Sequence, residues 1–343
     1  MSSKNPIFSH QKEVVLALSE FFETINVFTT DSGSEPLPKN VELFHIPWEL
    51  SSPARNFFTI LKTLYPVLIR NRSSVVFTHM TDIHAAIISP LTWLLGMRHV
   101  LWYAHATNSK YLIWSSFFVS GIISSTPGSC NLKLNQKKIS YIDQGISESI
   151  FPYRRRSDRP LRKILYYGRL DPSKNIHLFP SLVSKLNSLE KSYMLHLFGR
   201  PTNSSSVKYI MDIVSSLRLQ TQDYAIFLND PIDRVLISVI AQEYDIFLNL
   251  FSGSLDKTLI EATFMGLPVV TWNREYCSQF GTWSGCSVDE SLDFIVMEFE
   301  IINKLEESEL QTELERRLKL AIRNHSFTGW IDRLVGVLKE GFI

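Results

Sequence analysis

The sequence predicts an α/β chain of two domains, each built on a parallel sheet with helices packed against it. Three observations carry this. A length of 343 residues is about two domains at ~150 residues each. Strand-like apolar runs alternate with helical patterns along both halves, which is the order that builds parallel sheets. Two segments also share one design: ILYYGRLDPSK, residues 164–174, and DIFLNLFSGSLDKTLIEATFMGLPVVTW, Asp245–Trp272, each pass from an apolar run through a turn into a helical pattern.

Taken in order, the first half reads as helix Gln11–Phe22, strands Ile25–Thr30 and Val41–Ile46, helix Ala54–Arg70, strand Val75–His79, helix Ile83–Leu95 and strand Val100–His105. Short strands at Ile122–Ser125 and Ile139–Asp143 close it. Phe151–Lys163, FPYRRRSDRPLRK, is arginine-rich with two prolines and reads as a solvated linker. The second half is the clearer one. Strands Lys163–Tyr167, Tyr193–Phe198, Tyr224–Leu228, Asp245–Phe251 and Pro268–Trp272 alternate with helices Asn175–Leu189, Ser206–Leu217, Asp233–Glu243 and Asp256–Met265. Gly266 followed by Pro268 is a helix stop. From Ser291 the chain reads as consecutive helices, the last from Phe327 to about Lys339. The domains are thus 1–150, a linker 151–162, 163–325, and a C-terminal helix 326–343.

Composition excludes several classes. Hydrophobic content of 45% and charged content of 20% are ordinary for a soluble globular protein. Three cysteines, Cys130, Cys277 and Cys286, lack C-x-x-C spacing, which argues against a disulfide framework or zinc site and for a reducing cytoplasm. The N-terminus shows no signal peptide, and the apolar stretches Ile83–Leu95 and Tyr111–Ser125 fall short of the ~18 to 20 residues of a spanning helix. Net charge is +1, with 15 Lys/Arg against 10 Asp/Glu in residues 1–156 and 20 against 24 afterwards. No nucleic-acid partner is expected. A basic first half suits a diphosphate-linked acceptor or peripheral contact with an anionic membrane at its inner face.

The two matched segments hold the chemistry. Backbone N–H groups at two helix starts can face one anionic ligand. Arg169 and Lys174 add two cations suited to a diphosphate, and Glu261, further into the second helix, suits ribose hydroxyls. Glu261 sits among Leu259, Ile260, Ala262 and Phe264, so its carboxylate is in a buried helix and needs a partner. His105 follows a strand, where ligands bind in open α/β sheets. The absence of G-x-S-x-G, G-x-G-x-x-G and H-E-x-x-H excludes the common acyl-serine, dinucleotide and zinc-protease readings. His79 and His84 are not expected to bind metal.

GRLDPSK resembles the G-R-x-x-x-x-K segment of family 4 retaining glycosyltransferases of the GT-B fold, and LIEATFMGLPVVTW resembles their E-A-x-x-x-G-x-P-V-V stretch. LHLFGRP, Leu195–Pro201, fits the following strand and glycine turn, and WYAHATNSKYL, Trp102–Leu112, fits the histidine loop. The resemblance covers nearly the whole chain. It implies two Rossmann-like domains facing each other across a cleft, an N-terminal acceptor domain, a C-terminal donor domain, and terminal helices crossing back to the first domain. It also implies transfer of a sugar from a nucleoside diphosphate sugar to a glycan or lipid-linked acceptor, in polysaccharide, lipopolysaccharide or glycolipid synthesis, without a metal. In this family the departing phosphate takes the acceptor's proton, so no general base is expected.

On this resemblance the catalytic residues are Arg169, Lys174 and His105, and the donor-binding residues add Gly199, Ser254, Leu255, Asp256 and Glu261. Relatives usually carry an acid eight residues before the one matched by Glu261, where this chain has Gly253. Some relatives have a G-S-x-D-K-x-x-x-E-A form instead, matched by Gly253–Ala262, in which Ser254 and the amides near Leu255 and Asp256 take sugar and phosphate contacts. Relatives also open with a strand and glycine-bearing loop, for which this chain has only MSSKNPIFS, so the expectation is either that the start of the sequence is set too late or that the sheet lacks its first strand. Two alternatives stay open: a nucleotide-sugar epimerase of the same fold, and a non-catalytic relative that binds nucleotide sugar or a partner.

Overall fold

The computed structural model describes residues 9–30, 36–47, 52–155, 161–188, 192–220 and 226–341. The chain divides into two compact units: Met1–Asp143 together with Thr328–Ile343, and Gln144–Phe327. The expected openings MSSKNPIF and Tyr224, and residues 156–160 of the arginine-rich segment, lie outside the described residues.

The first unit holds two parallel sheets. β1 (Ile25–Thr29) pairs with β2 (Val41–His45), and β3 (Val75–His79), β4 (Arg98–Trp102), β5 (Gly121–Ser124) and β6 (Ile139–Tyr141) form a four-stranded sheet in that order. Among the described residues no ladder joins the two sheets. They share a core nonetheless: Phe28 of β1 and Val76 of β3 pack with Ile60 and Leu64 of α2 (Pro53–Arg70) and Ile88 of α3 (Asp82–Leu94). The first helix, α1, spans Ser9–Leu18. A helix absent from the sequence reading, α4 (Lys110–Phe118), follows the histidine loop. Ser109 caps it, accepting from the Leu112 N–H at 2.9 Å.

The second unit is one five-stranded parallel sheet. Its strands are β7 (Lys163–Tyr167), β8 (Met194–Phe198), β9 (Ile226–Asn229), β10 (Ile246–Asn249) and β11 (Val269–Thr271), arranged β11-β10-β7-β8-β9. Because strand side chains alternate, Ile164 and Tyr166 of β7 enter one core with Leu195 and Leu248, while Leu165 and Tyr167 enter another with Phe247 and Val269. The sheet is therefore buried on both faces at its central strands β7 and β10, while the edge strand β9 leaves Phe227 and Leu228 exposed. Helices α5 (Phe179–Asn187), α6 (Ser204–Gln220), α7 (Arg234–Ile240), α8 (Lys257–Phe264), α9 (Arg274–Phe280), α10 (Leu292–Lys304) and α11 (Glu307–His325) complete it.

The segment from Phe151 is anchored at both ends: Phe151 is fully buried, and Asp245 accepts from the N–H groups of Arg162 (2.9 Å) and Lys163 (2.8 Å), while Pro152, Arg154 and Arg155 between them are exposed as a solvated linker requires. Burial of the Phe151 ring and satisfaction of the backbone donors fix the ends, and Arg154 and Arg155 keep their contact with water. One expectation needs correction here. The helix expected from Asn175 instead begins at Phe179, after two 3-10 turns at Pro172–Lys174 and Ile176–Leu178. Asn175 interrupts it with φ at +55°, a left-handed conformation, and its side-chain amide donates to Leu250 O at 2.9 Å.

From Thr328 the last helix, α12 (Phe327–Glu340), belongs to the first unit. Trp330 meets Trp102 edge-on with ring centroids 5.2 Å apart, and the Arg98 guanidinium donates to the carbonyls of Val337 (3.1 Å), Leu338 and Lys339 (3.1 Å). A cation thereby caps the negative end of the helix.

Candidate functional site

In the second unit the chain leaves β7 for β8 on one side and later returns through β10 on the other. The carboxyl ends of β7 and β10 therefore flank the point where strand order reverses, the place where open α/β sheets bind ligands. Residues 168–174 follow β7 and residues 250–256 follow β10. The two sequence segments thus meet.

Gly168 leaves β7 at φ +145°, and its carbonyl lies where a Cβ on Gly199 would have to sit, 2.0 Å away. Only glycine at 199 lets the two strand ends close up, and they do so through Gly168 N–H to Phe198 O (3.0 Å) and Leu170 N–H to Arg200 O (3.1 Å). The Tyr166 hydroxyl donates to Arg169 O at 2.7 Å, fixing the backbone of the next residue. Arg169 itself reaches outward. Its side chain is 62% exposed, with a loose 3.4 Å pairing to Asp171. Arg200, not singled out in the sequence, is a second exposed cation on the adjoining loop.

Lys174 is different. It is 6% exposed, its ammonium lies 2.5 Å from the Asp256 carboxylate and 3.7 Å from the centre of the Phe251 ring. Asp256 also accepts from Asn249 Nδ2 (3.1 Å) and caps α8 through the Thr258 N–H (3.2 Å). Burial pushes the Asp256 carboxyl up, but Lys174 and these hydrogen bonds outweigh it and hold the group below its usual range. Asp171 behaves likewise: burial raises it, while the hydroxyls of Thr202 (2.6 Å) and Ser206 (2.8 Å) and the nearby cations bring it down.

At both helix starts expected to face one anion, part of the polar groups is engaged within the chain. Near Lys174 there is a 3-10 turn whose amides are used locally, Lys174 N–H to Asp171 O and Asn175 N–H to Pro172 O, both 3.0 Å. At α8 the capping carboxylate of Asp256 already occupies the dipole's positive end. The anion that stabilises Lys174 is in the protein.

The 251–256 loop is pinned from behind. Asn273, fully buried, donates through Nδ2 to the carbonyls of Phe251 (3.0 Å), Gly253 (3.1 Å) and Ser254 (3.3 Å). The Leu255 N–H, one of the amides expected to meet phosphate, donates to Glu275 at 2.8 Å. A Cβ at Gly253 would come within 2.2 Å of the Phe251 ring, so an acid there would require that ring to leave Lys174.

Glu261 is buried on α8 and has the partner that its setting demands. Arg234 grips one carboxylate oxygen through Nη2 (2.5 Å) and Nε (3.1 Å), and its guanidinium lies 5.3 Å from the Phe151 ring centre. Nothing local in the sequence links residues 234 and 261. The Tyr167 hydroxyl, donating to Thr258 O at 3.3 Å, is pushed well up by burial and by the Glu261 charge.

His105 lies in the first unit, exposed on the loop after β4, its ring 5.4 Å from that of Tyr103. Tyr103 donates to Thr107 O (2.5 Å), Asn108 to Asn131 O (2.7 Å), and Ser109 to Asp82. The loop is thus held at three points. Among the described residues no group of three or more His, Cys, Asp or Glu side chains is placed to hold a metal ion, and no helix is long and apolar enough to cross a membrane.

No protein-family profile matches this chain, and no curated protein sequence does. Solved structures do. Sucrose-phosphate synthase of Thermosynechococcus elongatus is 12% identical with a TM-score of 0.74, covering 97% of this chain and 92% of that one. A glycosyltransferase of Rickettsia africae gives 12% and 0.74 over 99% and 96%. HepE of Anabaena, solved in complex with UDP, gives 11% and 0.72 over 99% and 97%. The chain has the GT-B fold.

Proposed function

We propose that this protein is a retaining glycosyltransferase that moves a sugar from a nucleoside diphosphate sugar to a glycan or lipid-linked acceptor. Its setting is polysaccharide, lipopolysaccharide or glycolipid synthesis at the inner face of the cell membrane, with peripheral membrane contact. The observation that carries this reading is the meeting of Arg169, Lys174 and the Glu261 helix at the switch point of the second unit's sheet. The fold likeness to HepE, whose structures hold UDP and UDP-glucose, supports the donor class.

In this reading Arg169, exposed beside the switch point, is the principal cation on the departing diphosphate. Its attraction grows as negative charge develops there. Lys174 has three N–H bonds and gives one to Asp256, so it contributes to the diphosphate with what is left while holding the two loops together. Gly199 gives the diphosphate a backbone without a side chain in front of it, and Ser254, Leu255 and Asp256 shape the opposite wall. Glu261, oriented by Arg234, receives the ribose. His105 contacts the donor sugar or the acceptor. The departing phosphate takes the acceptor's proton, and the cations make a metal unnecessary.

The test is a panel of nucleotide sugars read first by thermal shift, where a ligand at 100 times its dissociation constant adds ~2.7 kcal/mol, and then by release of free nucleoside diphosphate with and without chelator. Arg169→Ala should lower kcat by roughly 10²- to 10³-fold with a smaller change in KM. An unchanged kcat sinks the leaving-group role. A second reading, a binder without turnover, is favoured by one observation: Lys174 and Glu261 already have charge partners within the chain. Stabilisation by a donor with no nucleotide release under any acceptor would establish it.

A further inference from the structure

The first unit carries an apolar face that its own core does not use. Trp93 (58% exposed) and Leu94 (72%) end α3, and Trp114 (51%) and Phe117 (55%) lie one turn apart on α4. Phe118 joins them, its ring 6.0 Å from that of Trp93 and 5.1 Å from that of Trp114. The rings are held in place, since the Trp114 indole N–H donates to Ala86 O at 3.2 Å. α3 runs into β4 and α4 into β5, so Trp93, Leu94, Phe117 and Phe118 lie toward the amino ends of those strands, while Trp114 stands midway along α4.

The stretch of chain that carries it contributes charge of one sign. From Ile83 to Ile142 there is no Asp or Glu, while Arg98, Lys110, Lys133, Lys137 and Lys138 all fall in that stretch. Lys138 donates to the carbonyls of Ser116 and Val119, both 3.0 Å, which brings the 133–138 segment to the end of α4. Leu134 is exposed there between exposed Lys133 and Lys137.

We infer that the α3–α4 aromatic face with its lysine rim is a docking surface for an anionic lipid bilayer. Apolar tips of Trp, Phe and Leu enter the headgroup region, where tryptophan partitions well, and lysines on long stems reach the phosphates. A protein partner fits less well: protein interfaces are depleted in lysine, and no carboxylate of this stretch offers a salt bridge in return. The inference rests on the membrane contact in the proposed function and gives it a location.

The experiment is co-sedimentation of the full chain with vesicles of phosphatidylglycerol mixed into phosphatidylcholine, against vesicles of phosphatidylcholine alone. The wild type should bind the anionic vesicles, with affinity falling as salt rises. Trp93→Ser with Phe117→Ser should lose at least tenfold in partitioning. Lys133→Glu with Lys137→Glu should lose more, since each lysine near such a surface is worth roughly fivefold. All four side chains are exposed, so melting temperatures should hold. Equal binding to both vesicle types, unchanged binding in either double variant, or aromatic-dependent self-association without vesicle binding would each overturn the inference. Vesicle binding is read without donor or turnover, so its failure leaves the donor-site reading standing, and the reverse.

Discussion

Lys174 and Asp256 form a pair whose members cannot be judged singly. Removing the ammonium leaves a buried carboxylate that also caps α8, and breaking a buried pair from one side costs ~3–5 kcal/mol. Lys174→Ala should therefore lose stability as well as activity, whereas Lys174→Met with Asp256→Asn, which keeps a capping side chain, should recover most of the fold in urea unfolding. If the double variant refolds fully yet turns over a donor like the wild type, Lys174 has no role beyond holding the loops. His99 offers a cleaner titration. It is fully buried between the hydroxyls of Thr78 (2.8 Å) and Thr92 (3.0 Å), and burial pushes its pKa from 6.5 down to about 4. The unfolded chain takes up this proton below pH 6.5 and the folded chain resists until about pH 4, so the stabilising contribution is complete above 6.5 and is lost as pH falls across that window. The loss is about 3 kcal/mol by linkage. The unfolding free energy of His99→Gln should fall less steeply between pH 6.5 and 4, and parallel curves would refute the assignment.

At the scale of elements, how much the sequence disclosed depended on whether the signal was local. Helix α8 could be read closely because Asp256 before it and Gly266, Leu267, Pro268 after it are start and stop signals in adjacent residues. Gly266 indeed sits at φ +73° with Arg154 O 2.7 Å from where a Cβ would be. Strand β7 is legible to the residue because KILYY is a compact β-branched and aromatic run ended directly by Gly168. The start of α5 was misread because the left-handed Asn175 is fixed by Leu250, which no pattern near residue 175 announces. Helix α4 was missed because KYLIWSSFF is apolar nearly all round and shows no stripe. The partners of Glu261 and Lys174 lie 27 and 82 residues away, beyond any periodicity. Asn273 also belongs here, since it supports the site loop from a different helix start. Asn273→Asp keeps the cap on Tyr276 but replaces two N–H donors by a charge facing three carbonyls. A loss of about 2–3 kcal/mol in urea unfolding is expected, together with weaker donor binding. Donor affinity unchanged in this variant would mean that the 251–256 loop does not shape the donor site.

For the whole molecule, the decisive fact is that residues 328–343 belong to the same unit as residues 1–143. The first unit is discontinuous, closed by α12 through the Trp102–Trp330 contact and the Arg98 cap. Arg333 adds a hydrogen bond to Ile142 O at 3.1 Å, beside the point where the chain passes into the second unit. Cutting the chain before Thr328 should consequently destabilise the first unit, although the cut is remote from it in sequence. The two point variants grade the effect. Trp330 is fully buried, so Trp330→Ala should cost ~3–5 kcal/mol, and Arg98→Ala, which leaves the carbonyls of α12 partly exposed to water, should cost ~1–3 kcal/mol. Hydrogen exchange resolved along the chain separates the units: amides of β4 and β5 should exchange faster in both variants, while those of β7 and β10 keep their protection. Nucleotide-induced protection of β7 and β10 should survive as well, because the Arg169, Lys174 and Glu261 contacts lie wholly in the second unit. Equal loss of protection in both units would show that they unfold as one cooperative block, and that α12 secures the molecule rather than one half of it.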